Sequence, residues 1–268
     1  MRIWYQSLFD GGRMPAYFSG LQARAKRIAR PGVKVEFHGM PQGVYGRHAP
    51  SDVVVYPYLA SLHNQFILDN ALRAEAEGYD VFAIGSVQDP AIEEARSLVD
   101  IPVVGYGEAA MHFACLLGSR FALIAFGEGF DQMLDLRVKR LGLAERALPT
   151  ALIDASFADV GKGLEGSRSV VEEFARVARQ QIAQGAEAII PGQLYLSEAI
   201  ARAGVTRIDE VPIVDGLAAT LKMAESMADL KRLGISVTRR GYTHAKPGKD
   251  LIAHARKVHS RPPIRKKR

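Results

Sequence analysis

The sequence predicts an α/β protein built from two similar halves, each a parallel sheet of the four-stranded type covered by helices, with a ligand site in the cleft between them. Two observations carry this. Short apolar runs alternate with amphipathic stretches along the 268 residues, the pattern of parallel sheets flanked by helices. A segment also recurs. Ala76–Ser86 can be laid on Ala183–Gln193 at an offset of 107 residues, and Asp100–Gly105 on Glu210–Asp215 at an offset of 110. Two matched segments in the same order mark an internal repeat, which single motifs cannot do.

Each copy of the first segment reads as a helix end, a capping glycine (Gly78, Gly185), an acidic residue, a buried strand and a glycine turn (Gly85, Gly192). The expected strands are Arg2–Tyr5, Val53–Tyr56, Val81–Ile84, Val103–Val104, Phe121–Phe126, Ala188–Ile190 and Ile213–Val214. The expected helices are Leu62–Glu77, Pro90–Leu98, Glu108–Leu117, Ser169–Gln184 and Leu217–Leu233. The first lobe spans residues 1–106 and is completed by a C-terminal helix at about 216–240. The second spans 107–215, and residues 241–268 form a basic flexible tail.

Composition limits the function classes. The chain is 48% hydrophobic and 24% charged, ordinary for a globular protein. It has no run of about 18 apolar residues, and its start, Met1-Arg2-Ile3-Trp4-Tyr5, reads as a strand rather than a signal peptide. The single cysteine, Cys115, suits a reducing compartment, so cytoplasm is expected. The net charge of +6 is uneven: residues 229–268 hold 13 Lys/Arg against 2 Asp/Glu, and the rest holds 22 against 27. The final stretch from Arg261 to Arg268 is either a solubilising terminus or a patch for nucleic acid or an acidic membrane. The former is expected, with no nucleic-acid partner.

The repeat locates the site. In open parallel sheets, ligands bind beyond the C-terminal strand ends. The residues after matched strands are Gln6-Ser7, Ser86-Val87, Phe126-Gly127 and Gln193-Leu194-Tyr195. Ser86 and Gln193 are equivalent, so they are expected to face each other across one ligand and clamp it by hydrogen bonds. Tyr45, Tyr56, Tyr58 and His63 are candidates for an aromatic side of the pocket, with ordinary packing as the alternative.

Other motifs say less. Gly105-Tyr-Gly107-Glu-Ala-Ala110 fits the glycine pattern of dinucleotide sites, but Glu108 would compete with a pyrophosphate for the helix amides. A tight strand–helix turn is the alternative. Gly161–Gly166 follows no strand and reads as a polar loop. The seven histidines form no recognised ligand spacing, so no metal is expected. His112 reads as an interior or edge residue and Cys115 as a small core residue.

From about Val53 to Lys231 the chain resembles the aspartate/glutamate/hydantoin racemase superfamily, and within it the hydantoin racemase branch. The residues carrying the resemblance are Gly78–Pro90 and Asp100–His112. It implies two Rossmann-like lobes related by a pseudo-twofold axis, no metal or organic cofactor, and often homo-oligomers. It also implies racemase, cis-trans isomerase or decarboxylase activity. Racemases of this family place a cysteine after the matched strand of each half. Here those positions hold Ser86 and Gln193, and Cys115 is the sole cysteine, so a two-thiol racemisation is excluded by composition. The expectation is an enzyme acting on a small carboxylate or cyclic amide through an enolate-like carbon, with a lyase or a non-catalytic binder as alternatives. Ser86, Gln193 and Glu108 are the catalytic candidates, Glu108 being the first choice of base and Asp215 and His63 next. Gln6, Ser7, Val87, Phe126, Leu194, Tyr195, Tyr45, His63 and Asp215 are the substrate-binding candidates.

Overall fold

The computed structural model describes residues 1–12 and 14–259. In chain order the first half runs β1 (Arg2–Asp10), α1 (Pro15–Ile28), β2 (Lys34–Met40), α2 (Pro50–Val54), α3 (Pro57–Ala76), β3 (Val81–Ile84), α4 (Ile92–Leu98) and β4 (Val103–Gly105). It continues with α5 (Tyr106–Leu117), β5 (Phe121–Ala125), α6 (Phe130–Arg140), β6 (Ala151–Leu152), α7 (Phe157–Leu164), α8 (Ser169–Ala183), β7 (Ala188–Pro191) and α9 (Leu194–Arg202). A short hairpin of β8 (Arg207–Ile208) and β9 (Val211–Pro212) leads to α10 (Gly216–Arg232) and α11 (Lys249–His259). Among the described residues, no helix is long and apolar enough to cross a membrane.

The first sheet is parallel with strand order β2-β1-β3-β4, and the second is parallel with order β6-β5-β7. A parallel bridge from Ile189 to Ile213 sets the chain beside β7 where β4 stands beside β3. The two orders therefore match position for position. Gly85 donates its N–H to the Gln6 carbonyl at 2.8 Å, and Gly192 to the Ile124 carbonyl at 2.6 Å, so the strand-end turns repeat too. Both turns need glycine. A Cβ on Gly85 would lie 2.3 Å from the Tyr5 ring, and one on Gly192 2.6 Å from the Ala125 Cβ.

The alternation of side chains along each strand sorts the first sheet into two cores. Trp4, Phe82 and Ile84 pack under α3 and α4 with Ile67, Ala71 and Ala95. Ile3, Tyr5, Val81 and Ala83 face the other way, into a core that continues through α5 to Phe121, Leu123 and Ile190 of the second sheet. Helix α10 packs on α5, β3 and β4, so the chain returns to the first sheet. One continuous core thus holds the two strand-end regions at a shared cleft.

Three expectations are corrected, and one strand was not among those expected. Val53–Tyr56 is not a strand: Pro50 and Pro57 open α2 and α3, and the valines fall at the end of α2 and in the turn between. Edge strand β2 was unforeseen, because Lys34-Val-Glu-Phe-His38 alternates charge with apolar residues and carries no fully buried run. Gly161 and Gly163 lie within α7, held by a capping box at Ser156 and Asp159, not in a loop. Where a flexible tail was expected from 241, the structure forms α11. Just before it, Arg239 donates to the Val99 carbonyl at 2.6 Å and Lys246 pairs with Asp100 at 2.6 Å. The stretch from Arg261 to Arg268 lies outside the described residues.

Candidate active site

A cavity of about 540 Å³, including its open mouth, lies between the strand ends of the two sheets. Ser7, Ser86, Val87, Phe126, Gln193, Leu194 and Tyr195, all expected from the repeat, line it together. The sequence reading missed Leu8, Phe9, Tyr17, Gln88, Phe130 and Phe157, which line it as well. Phe9 and Gln88 each lie two residues beyond an expected site residue, Ser7 and Ser86, and could have been read from the same rule. Tyr17, Phe130 and Phe157 sit on α1, α6 and α7, in segments outside the matched repeats, and nothing local to them signals a cavity.

The polar groups are few and already oriented. The Ser86 hydroxyl donates to the Gln88 side chain at 2.9 Å, and the Ser7 hydroxyl accepts the Phe9 amide at 3.1 Å. Gln193 differs from its expected role. Its amide nitrogen donates to the Phe126 carbonyl at 2.7 Å and its oxygen accepts the Phe126 N–H at 3.3 Å. It thus ties the turn after β7 to the end of β5. The opposite wall is aromatic: Phe157 stacks on Tyr195 at 4.5 Å, and Phe9 meets Tyr17 edge-on at 5.0 Å. Burial pushes the Tyr17 hydroxyl well above the ordinary tyrosine range, so it stays protonated at neutral pH. Among the described residues, no Asp, Glu, His, Cys, Lys or Arg lines this cavity.

The remaining candidates lie elsewhere. Glu108 does open α5, but it faces Arg96 at 3.0 Å and Arg137 at 3.5 Å in an ion cluster, not the cavity. The Asp89 carboxylate explains the nearby glycine motif. It accepts the N–H of Gly107 at 2.8 Å and of Glu108 at 2.7 Å, filling the helix start that a phosphate would need. A Cβ on Gly105 would lie 2.1 Å from Asp89. Burial pushes the Asp89 carboxyl up to about 6 against the pull of Arg137, so it is ionised at neutral pH. Asp215 caps α10 and pairs with Arg24, which also holds the fully buried Glu198. Gln6 is fully buried and accepts from the Trp4 indole and Asn70. Tyr45 donates to the Leu8 carbonyl at 2.6 Å and stacks on His63 at 5.1 Å. His63 lines a neighbouring, larger groove, and Tyr56 and Tyr58 are exposed. His112 is exposed rather than interior, with Nδ1 at 2.7 Å from the Glu108 carbonyl. Cys115 is half-buried against the main core, outside the cavity.

Two matched parallel sheets meeting at one strand-end cleft define a racemase-type fold, and the comparisons agree. The family model described as Asp/Glu/Hydantoin racemase matches residues 15–224. The chain belongs to this family. It is 26% identical over 215 residues to a hydantoin racemase of Pseudomonas sp. (strain NS671), covering 80% of this chain and 82% of that one. It is 29% identical over 181 residues to a hydantoin racemase of Paenarthrobacter aurescens, covering 64% and 70%. The solved allantoin racemase from Klebsiella pneumoniae superposes with a TM-score of 0.75 at 25% identity, covering 93% of this chain and 94% of that one.

Proposed function

We propose that this protein is a racemase-family enzyme that forms or protonates an enolate-like carbon in a small cyclic amide or carboxylate, without a thiol pair. The observation that carries the reading is the cleft: neutral hydrogen-bonding groups at the strand ends of a racemase-family fold, set in an apolar recess. Ser86, the Ser7 hydroxyl and main-chain N–H groups after Gly85 are suited to a carbonyl oxygen that gains charge in the reaction. The names of its relatives favour a hydantoin-like ring as the substrate. The cleft also narrows the chemistry. Drawing a proton from carbon needs a base, and none lines the cavity among the described residues. Breaking a carbon–carboxylate bond needs none. Carbon dioxide leaves, the bonding electrons pass to the carbon and its carbonyl oxygen as an enolate, and water returns a proton. A lyase-type step on a carboxylate therefore fits this cleft without a side-chain base, whereas a hydantoin-like ring, which has no carboxylate to lose, would need a base that is not a lining side chain. We further expect a cytoplasmic homo-oligomer.

The same lack of charge favours a second reading, a non-catalytic ligand-binding protein on this scaffold. Heavy-water NMR of ligands found by thermal shift separates the two. Deuterium entry at the carbon beside the carbonyl, or loss of a carboxylate, supports the enzyme. A ligand that binds and stays unchanged supports the binder. Iodoacetamide should leave activity intact, since Cys115 is outside the cavity; inactivation that substrate prevents would contradict the thiol-free site.

A further inference from the structure

We infer that the C-terminal segment, residues 231–259 with the basic stretch that follows, is a docking surface for an anionic lipid bilayer. Sequence alone reads this stretch as a solubilising terminus. The structure adds a fixed path for the chain and outward apolar side chains. The segment lies beyond the family-model match, which ends at residue 224. Its inner side is pinned to the first half by the cation–carboxylate pairs Arg232–Asp80, Arg239–Asp100, Lys246–Asp100 and Arg256–Asp69. Between successive pins Leu233, Ile235, Tyr242 and Leu251 stand 77%, 59%, 99% and 62% exposed. Apolar residues scattered singly over a surface are ordinary, but these fall on one short segment and interleave with cations.

The charge of the segment selects its partner. Residues 229–268 hold 13 Lys/Arg against 2 Asp/Glu. The pins use only part of this. Lys231, Arg240 and Lys249 are exposed and carry no ion pair among the described residues, and residues 261–268 add five more cations. The complement is an anionic surface. A nucleic acid would engage the cations and Tyr242 but leave Leu233, Ile235 and Leu251 in water. A bilayer takes all three chemistries: its phosphates pair with Lys and Arg, tyrosine sits at headgroup level, and aliphatic side chains enter the acyl boundary. Helix α11 has the matching pattern. Leu251, Ile252, Ala255 and Val258 share one arc and Lys249, Arg256 and Lys257 another. Ile252 and Ala255 are half-buried against the protein, and Leu251 is the exposed edge of their arc. Docking here leaves the cleft open. Asp80 and Asp100 stand just before β3 and β4, at the strand starts, whereas the cleft lies at the strand ends.

The test is co-sedimentation of the full chain with two vesicles, phosphatidylcholine alone and a two-to-one mixture of phosphatidylcholine with phosphatidylglycerol. Binding to the anionic vesicles should be at least about 10-fold stronger, since each cation at such a surface contributes about 5-fold. It should fall steeply with added salt. Equal binding to the two vesicles, or binding to neither, overturns the inference. Two double variants separate the contributions. Tyr242→Ser with Leu251→Ser removes exposed apolar groups without changing charge. It should weaken anionic-vesicle binding by about 10-fold and leave the melting temperature unchanged. Arg240→Gln with Lys249→Gln removes unpaired cations and should weaken the same binding by about 5-fold or more at low salt. Full binding by either variant overturns the inference, and the lipid dependence of the unmodified chain still decides it if a variant folds poorly. Tighter binding to polyuridylate than to the anionic vesicles, at equal phosphate concentration, overturns it in favour of a nucleic acid. Self-association that the serine variant loses, with no vesicle binding by the unmodified chain, overturns it in favour of a second copy. The readout is lipid binding rather than turnover, so it stands whatever the cleft binds.

Discussion

Ser86 and Gln193 occupy the same place in the two halves, yet they do different work. In each half a side chain donates to a carbonyl near the turn, at Leu8, where the pairing of β1 shifts register between Gln6 and Asp10, and at Phe126, just beyond β5. The first half satisfies it from a distance: the Tyr45 hydroxyl donates to Leu8 from the loop after β2. The second half satisfies it from the turn itself, through Gln193. Because Tyr45 takes the Leu8 carbonyl, Ser86 is left to face the cavity and bond Gln88. A repeat preserves backbone geometry, but each half must solve the problem of its buried polar groups separately. The side chain that solves it is no longer free for a ligand.

The turns beyond these positions differ as well, and that difference predicts the largest effect. After Ser86 the chain carries a buried carboxylate, Asp89, held by Arg137 of α6 at 2.9 Å. After Gln193 it enters α9 with no buried charge in the turn. Arg137→Ala should therefore cost about 3–5 kcal/mol in urea unfolding, since it leaves a carboxylate buried without its cation. The pH dependence has a definite sign. Asp89 already sits at about 6 rather than 3.8, so it binds its proton more readily folded than unfolded, and stability falls as pH rises between those values. Without Arg137 its pKa rises further. The deficit of the variant should grow as pH rises above about 6 and shrink on acidification below it, where the carboxyl is protonated in both proteins. A deficit that is independent of pH would mean that the carboxylate is not what Arg137 neutralises.

The comparison itself is broken or sharpened by the two alanine variants at the repeat positions. Gln193→Ala unpairs both main-chain groups of Phe126 and should lower stability by about 1–3 kcal/mol, read as a shift in unfolding midpoint. Ser86→Ala removes a bond between two cavity-lining side chains. It should leave the midpoint nearly unchanged and weaken ligand binding by about 5- to 150-fold. Equal midpoints for the two variants would show that the residues share a role after all.

Much of this was legible in the sequence because backbone geometry follows local pattern. The repeated glycines, the buried strands and their order predicted two parallel sheets, and the same alignment brought Ser7, Ser86, Val87, Phe126, Gln193, Leu194 and Tyr195 to one cavity. What was hidden depends on pairing across the chain. Glu108 looked like a base because it begins a helix at a strand end, but Arg96 and Arg137 reach it from α4 and α6. Asp215 looked available until Arg24 met it from α1. Gln6 sat at the right strand end, yet its side chain lies on the side of Trp4 and Asn70. Tyr17 and Phe157 reach the cavity only through packing between the halves, which no local spacing encodes.

The smallest expected effect concerns how the two sides of the cleft are held. The polar side stands on strand ends, locked in a sheet. The aromatic side includes Phe157, the first residue of α7, which is held by a cap: the Ser156 hydroxyl accepts the Asp159 N–H at 3.2 Å, and Asp159 accepts the Ser156 N–H at 3.1 Å. Bonds from Ser156 and Lys162 hold the Asp159 carboxyl down at about 2. Its folded pKa is below its unfolded value, so its contribution is present above about 4 and is lost as pH falls through about 2. Ser156→Ala should remove about 1 kcal/mol of helix stability at neutral pH, the usual loss for a serine cap. It should also raise the Asp159 titration midpoint in a carboxyl NMR titration. Hydrogen exchange should then quicken at the first turn of α7 and leave the amides of β1 and β3 unchanged. Exchange quickened equally in both sets would mean that the cleft opens as one unit, and that its aromatic wall is no softer than its polar floor.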